Sequence, residues 1–171
     1  MKKRHNNSYN QYIFFMKNVL SIVWYKNSHL ITAFNLDTKT ILFTESVYSL
    51  ADTLVYNINC TIKKYNVDIH SFKYVAISYN LKSFTDMRLY YCIALPLAQV
   101  LKIKALDITK DAEEELSYNT NNNEESDMQL HYYLNKLHKI IEDKIKGNDF
   151  VDIMNPKPIY IGTTKYKKIN E

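Results

Sequence analysis

Glycine is nearly missing from this chain. It occurs twice in 171 residues, at Gly147 and Gly162, so residues 1 to 146 contain none. Loops that cradle phosphate need glycine, because their backbone must reach positive φ and approach the ligand closely. A P-loop and a dinucleotide-binding fingerprint are therefore both excluded. Cysteine is equally scarce: Cys60 and Cys92 stand inside apolar helical patterns, without the paired spacing of a zinc site or a disulfide framework. That usage points to a reducing cytoplasm. Long apolar runs are lacking too. The stretch Tyr12 to Met16 is too short for a signal h-region or a membrane span, and residues 1–15 read as a disordered arm ahead of Met16, an alternative start.

Charge is neither strong nor one-sided. The net +4 comes from 22 basic and 18 acidic residues, too mixed a balance to announce nucleic-acid binding. None of the five histidines shows H-x-x-x-H spacing. His131, His138 and Glu142 lie on successive helical turns, but the His138 and Glu142 pair reads as a solvated ion pair rather than a metal site. No G-x-S-x-G elbow surrounds Ser78 or Ser83. Catalytic, cofactor-binding and metal-ligating residues are accordingly all assigned as none.

What is present is a β-β-β-α-β-α-β order. Lys17 to Tyr25, His29 to Leu36 and Thr40 to Thr44 read as a meander of strands. Leu50, Leu54, Ile58 and Ile62 recur at four-residue steps, with Ser49 and Asp52 as a capping box, and predict a helix over about residues 47–65. Phe72 to Ser78 is a buried strand. Ser83 stands three residues before Asp86, so S-F-T-D caps a long helix to about Val100, interrupted by Pro96. Lys104 to Ile108 is the next strand. Residues 117–127 form a polar linker, taken as the boundary between a lobe at 16–116 and a reduced second lobe at 128–171. The latter holds an amphipathic helix (Leu130, Leu134, Leu137, Ile141, Ile145) ended by Gly147, a short strand at Ile159 to Ile161 and a basic tail. Meandering strands followed by alternating helices and strands make an α/β lobe with a mixed sheet.

The stretch YVAISYNLKSFTDMRLYYCIALPLAQVLKIKALDI, Tyr74 to Ile108, resembles the bacterial TsaB (YeaZ) family, with Ser83, Phe84, Thr85 and Arg88 in the register of that family's S-F-T-x-x-R segment. The strands at the start and KPIYIGTTKYKK at the end resemble it as well. The resemblance implies an actin-like fold of the sugar-kinase and Hsp70 ATPase type, with a mixed five-stranded sheet, flanking helices and, here, a truncated second lobe. It also implies a cytoplasmic, non-catalytic subunit that supports threonylcarbamoyladenosine formation on tRNA by docking on a TsaD-like partner. The family's D-T-S loop is replaced by Trp24 to Lys26 and its glycine-rich loop by Ser78 to Lys82.

From Leu89 to Leu101 only Gln99 is conventionally polar. A helix apolar on all sides needs cover on all sides, which leads to the expectation that a partner covers it. Leu54, Ile58, Met87, Tyr90, Ala94 and Leu97 are the expected interface residues, facing a TsaD-like protein or a second copy of the chain. Leu97→Asp is then expected to break the complex and spare the monomer. The segment Lys165 to Lys168, with Tyr166 interleaved, could add a weak contact to tRNA phosphates. Self-association without a modification role and a degenerate nucleotide-binding enzyme are the alternatives.

Overall fold

The computed structural model describes residues 17–48, 53–116 and 127–157. The N-terminal arm, the Ser49 and Asp52 capping box, the polar linker up to residue 126, the strand at 159–161 and the basic tail lie outside these. Three strands form the meander: β1 (Asn18–Tyr25), β2 (Ser28–Asn35) and β3 (Thr40–Val47). Helix α1 (Leu54–Lys64) follows, then β4 (Phe72–Ser78), α2 (Phe84–Leu101), β5 (Lys104–Asp107), α3 (Thr109–Leu116) and α4 (Asp127–Lys146). The sheet order is β3-β2-β1-β4-β5, antiparallel within the meander and parallel across β1, β4 and β5. This is the mixed five-stranded α/β sheet with flanking helices that the resemblance implies.

The alternation of side chains along β1 shows why both sheet faces must be covered. Leu20 and Ile22 point to one face, opposite Ala33 and Ile31 of β2, while Val19 and Val23 point to the other, opposite Phe34 and Leu30. All are buried. The first face carries α1 and α2, through Leu54, Ile58, Ile62, Met87, Tyr90, Ile93, Ala94 and Ala98. The second carries α3 and α4, through Ala112, Tyr133, Leu134, Leu137, Ile140 and Ile141. Two helical layers enclose one sheet.

That arrangement corrects the expected division of the chain. Instead of opening a second lobe beyond residue 127, α4 supplies the cover that the second face of the first sheet requires. Lys144 bridges it to Asp111 of α3 at 3.0 Å, and Glu142 pairs with Lys39 in the β2–β3 turn. The chain then returns to the far edge of the sheet, where the Val151 amide donates to the Ala105 carbonyl at 2.9 Å and Val151 and Ile153 pack on the first core.

The scarcity of glycine has a local cost. Among the described residues, six other than glycine adopt positive φ: Lys26, Asn27, Lys39, Asn66, Lys102 and Asn148. Asparagine tolerates this conformation; lysine does so at roughly 1–2 kcal/mol. Gly147 follows the last residue of α4 as expected, yet the left-handed residue there is Asn148. Lys102 closes α2 at φ 56°, and Ile103 donates to the Ala98 carbonyl at 2.9 Å in a Schellman-like closure.

Two stability effects are expected. Leu137→Ala should destabilise the protein by about 2–5 kcal/mol, with Trp24 fluorescence on β1 moving in the same denaturation transition; an independent second lobe would leave that signal in place. Lys102→Gly should raise the denaturant midpoint, at unchanged m value, by an amount equivalent to about 1 kcal/mol.

Candidate functional site

The S-F-T-D-M-R segment sits where β4 hands over to α2. Ser83 is the N-cap, its Oγ accepting the Asp86 amide at 3.1 Å, as the capping pattern requires. Phe84 and Thr85 are exposed in the first turn, and the Arg88 guanidinium lies 4.2 Å from the centre of the Phe84 ring. The four motif residues thus mark a helix start.

The expected partner residues lie elsewhere than expected. Leu54, Ile58, Met87, Tyr90 and Ala94 are buried in the chain's own first core, and Leu97 packs partly buried against it. Helix α2 is covered from within: the sheet lies beneath it, and Leu89, Leu95, Leu97 and Leu101 on its flanks join the same cluster as α1 and the returning Val151 and Ile153. Leu97→Asp would consequently disturb the fold itself. Tyr90 faces the sheet, where its hydroxyl and the buried His29 Nδ1 share a 2.8 Å hydrogen bond. Burial, with the nearby Asp86 charge secondary, drives its hydroxyl far above the ordinary tyrosine range.

What these helices present to solvent is a different set of side chains. On α1 Val55 and Tyr56 are 58% and 67% exposed; on α2 Phe84 and Val100 are 43% and 78% exposed. Cys92 and Pro96 are exposed between the latter two. Residues 84, 88, 92, 96 and 100 follow four-residue steps, so this is the outward side of α2. The position of Pro96 there explains its tolerance within the helix. The carbonyl it leaves without an amide donor, that of Cys92, lies on the solvent side, where water can serve it.

At the carboxyl ends of the strands, polar groups concentrate that sequence reasoning missed. The Tyr91 and Tyr79 hydroxyls donate to Asp107 Oδ2 at 2.7 and 3.3 Å, and the Thr109 amide donates to its Oδ1 at 2.9 Å. Their spacing, 79, 91 and 107, forms no local motif; only the parallel pairing of β4 with β5 brings them together. His138 stacks on Phe34 with ring centres 3.8 Å apart, and Glu142 is engaged by Lys39. Among the described residues no group of three or more histidines, cysteines and carboxylates is arranged to hold a metal, and no helix is long and apolar enough to cross a membrane.

No family model matches the chain, and no curated protein matches it. Solved structures do. YeaZ from Pseudomonas aeruginosa is similar at 16% identity and a TM-score of 0.47, over 60% of this chain and 51% of that one. A second structure, described as an uncharacterized protein with similarity to peptidase YeaZ from the same organism, is similar at 16% identity and a TM-score of 0.46, over 60% and 50%. The chain spans about half the length of each.

The half-buried imidazole of His138 generates a pH dependence. Burial is the main cause, and Lys39 and His131 add to it against the opposing Glu142, so that the pKa falls from 6.5 to about 4. The unfolded chain then binds this proton more readily than the folded one, so stability is full above pH 6.5 and declines as the pH falls toward 4. Chemical denaturation at pH 7 and pH 5 should show this loss in the natural chain, and His138→Phe should remove its histidine component.

Proposed function

We propose that this chain is a non-catalytic, TsaB-like subunit that docks on a TsaD-like partner and supports threonylcarbamoylation of tRNA. The observation that carries the reading is the apolar outer side of α1 and α2, where Val55, Tyr56, Phe84 and Val100 are offered to solvent on one side of the molecule. Apolar side chains exposed together mark interaction surfaces in soluble domains. The S-F-T-x-x-R resemblance supplies the kind of partner. The Lys26–Asn27 turn and the Ser78 to Lys82 loop carry neither the glycines nor the acidic residue of a nucleotide-handling site, which favours assembly over bond making.

Docking by this route would draw on apolar burial at ~25 cal/mol per Å², offset by the cost of association. Large aromatic and aliphatic side chains near the centre of such a patch carry most of the affinity. Tyr56 and Val100, the most exposed apolar side chains of α1 and α2, are assigned that role in place of the buried residues first expected.

Sedimentation velocity of the purified chain mixed with a TsaD-like protein should show a one-to-one complex. Val100→Asp and Tyr56→Asp should each weaken it at least about tenfold, with the unfolding midpoint of the isolated chain unchanged because both side chains are exposed. A chain that only pairs with itself would favour the self-associating alternative, and a complex insensitive to both changes would place the interface elsewhere.

A further inference from the structure

A second feature lies away from that outer face, at the carboxyl ends of β1 and β4. These two strands are parallel neighbours, but the chain leaves β1 by a hairpin into β2 and leaves β4 toward α2. Where neighbouring parallel strands send their connections apart, a crevice opens at their carboxyl ends. Here it measures about 320 Å³, with α3 and α4 closing it from the second sheet face through Glu113 and Tyr133. That volume suits a small molecule.

The lining is rich in hydrogen-bond donors. Ser78 and Tyr133 are only 6% and 8% exposed, yet neither hydroxyl has a hydrogen-bond partner among the described residues. Neither oxygen is sealed inside the protein, since His138 Nε2 is the one described side-chain atom both fully enclosed and unpaired. The cleft is the space left to them. Burial, with Tyr25 nearby, holds the Tyr133 hydroxyl protonated well above the ordinary tyrosine range, so it stays a donor. Lys26 gives one hydrogen bond to Gln129 Oε1 at 3.1 Å and keeps further N–H groups, Lys82 is exposed at the rim, and Glu113 is the opposing carboxylate. Two ammonium groups thus face one carboxylate. The indole of Trp24 and the ring of Tyr25 supply flat apolar wall.

We propose that this cleft binds a small aromatic oxyanion, a carboxylate or a phosphate monoester, with its charged group on Ser78, Tyr133 and Lys82 and its ring against Trp24. A nucleoside triphosphate does not suit it. The backbone at Lys26 and Asn27 already uses positive φ with side chains attached, which blocks the close phosphate approach that a glycine loop permits. The site is independent of the docking face, so either can fail without the other.

Trp24 is the only tryptophan of the chain, so under native conditions the tryptophan emission comes from a residue in the wall of this cleft. Titration of the full chain with phenyl phosphate and, separately, with benzoate should give a saturable change with at least one of them, and the one that binds identifies the charged group. Phenol, the same ring without the charge, should give none. Tyr133→Phe and Lys82→Met should each weaken the binding about tenfold, the loss expected for one hydrogen bond to a charged group. Tyr133→Phe keeps the buried ring, and an unchanged unfolding midpoint would confirm that it folds. Absence of saturable binding with both anions, affinity unaffected by both substitutions, or magnesium ATP binding far more tightly than either probe would overturn the proposal.

Discussion

Burial of β1 on both of its faces is the constraint on which the rest of this structure depends. Leu20 and Ile22 look one way, Val19 and Val23 the other, and every one is withdrawn from water. A strand of that kind cannot lie in a two-layer lobe, because one row of apolar side chains would be wet. A helix layer is therefore required on each side, and four of the described helices serve the purpose. Helix α4 and the returning segment at Val151 and Ile153 would otherwise look like an appendage; they complete the two helical covers of the sheet.

The same constraint changes where an interaction surface can be. Helix α2 is apolar on nearly every side because sheet, α1 and the returning segment at Val151 and Ile153 all press on it. Its inward residues are consumed by the fold, and the row through Phe84, Cys92, Pro96 and Val100 is left facing solvent. That row carries a basic residue, Arg88, stacked on Phe84, so the exposed side is amphipathic at its start and apolar at its end.

Much of the fold was legible in the residues, and what was not has particular causes. Short apolar runs bounded by polar turns marked β1, β2 and β4, and the Ser83 cap marked the start of α2, because these are local signals. The stripe Leu130, Leu134, Leu137, Ile141 revealed a helix, but a stripe does not say which surface it meets. The polar stretch before it suggested a boundary, whereas α3 and α4 on either side of it share one core. For α2, periodicity failed outright: with apolar residues all round, nothing in the spacing separates Tyr90, fully buried, from Val100, mostly exposed. The Asp107, Tyr91 and Tyr79 cluster and the cleft at Tyr133 arise from strand order, which no local pattern encodes. The scarcity of glycine was plain from composition. Its consequence, lysine and asparagine held at positive φ in turns and helix ends, needed the backbone.

The central claim is that the outward side of α2 is where a partner sits, and a native side chain reports on it directly. Cys92 is exposed in the middle of that row, whereas Cys60 on α1 is partly buried. The rate of Cys92 alkylation by a maleimide, read by peptide mass spectrometry with and without a saturating TsaD-like partner, should fall at least about tenfold in the complex, as expected for a group at the core of an interface. A Cys92 that reacts at the same rate in a demonstrated complex would contradict the account.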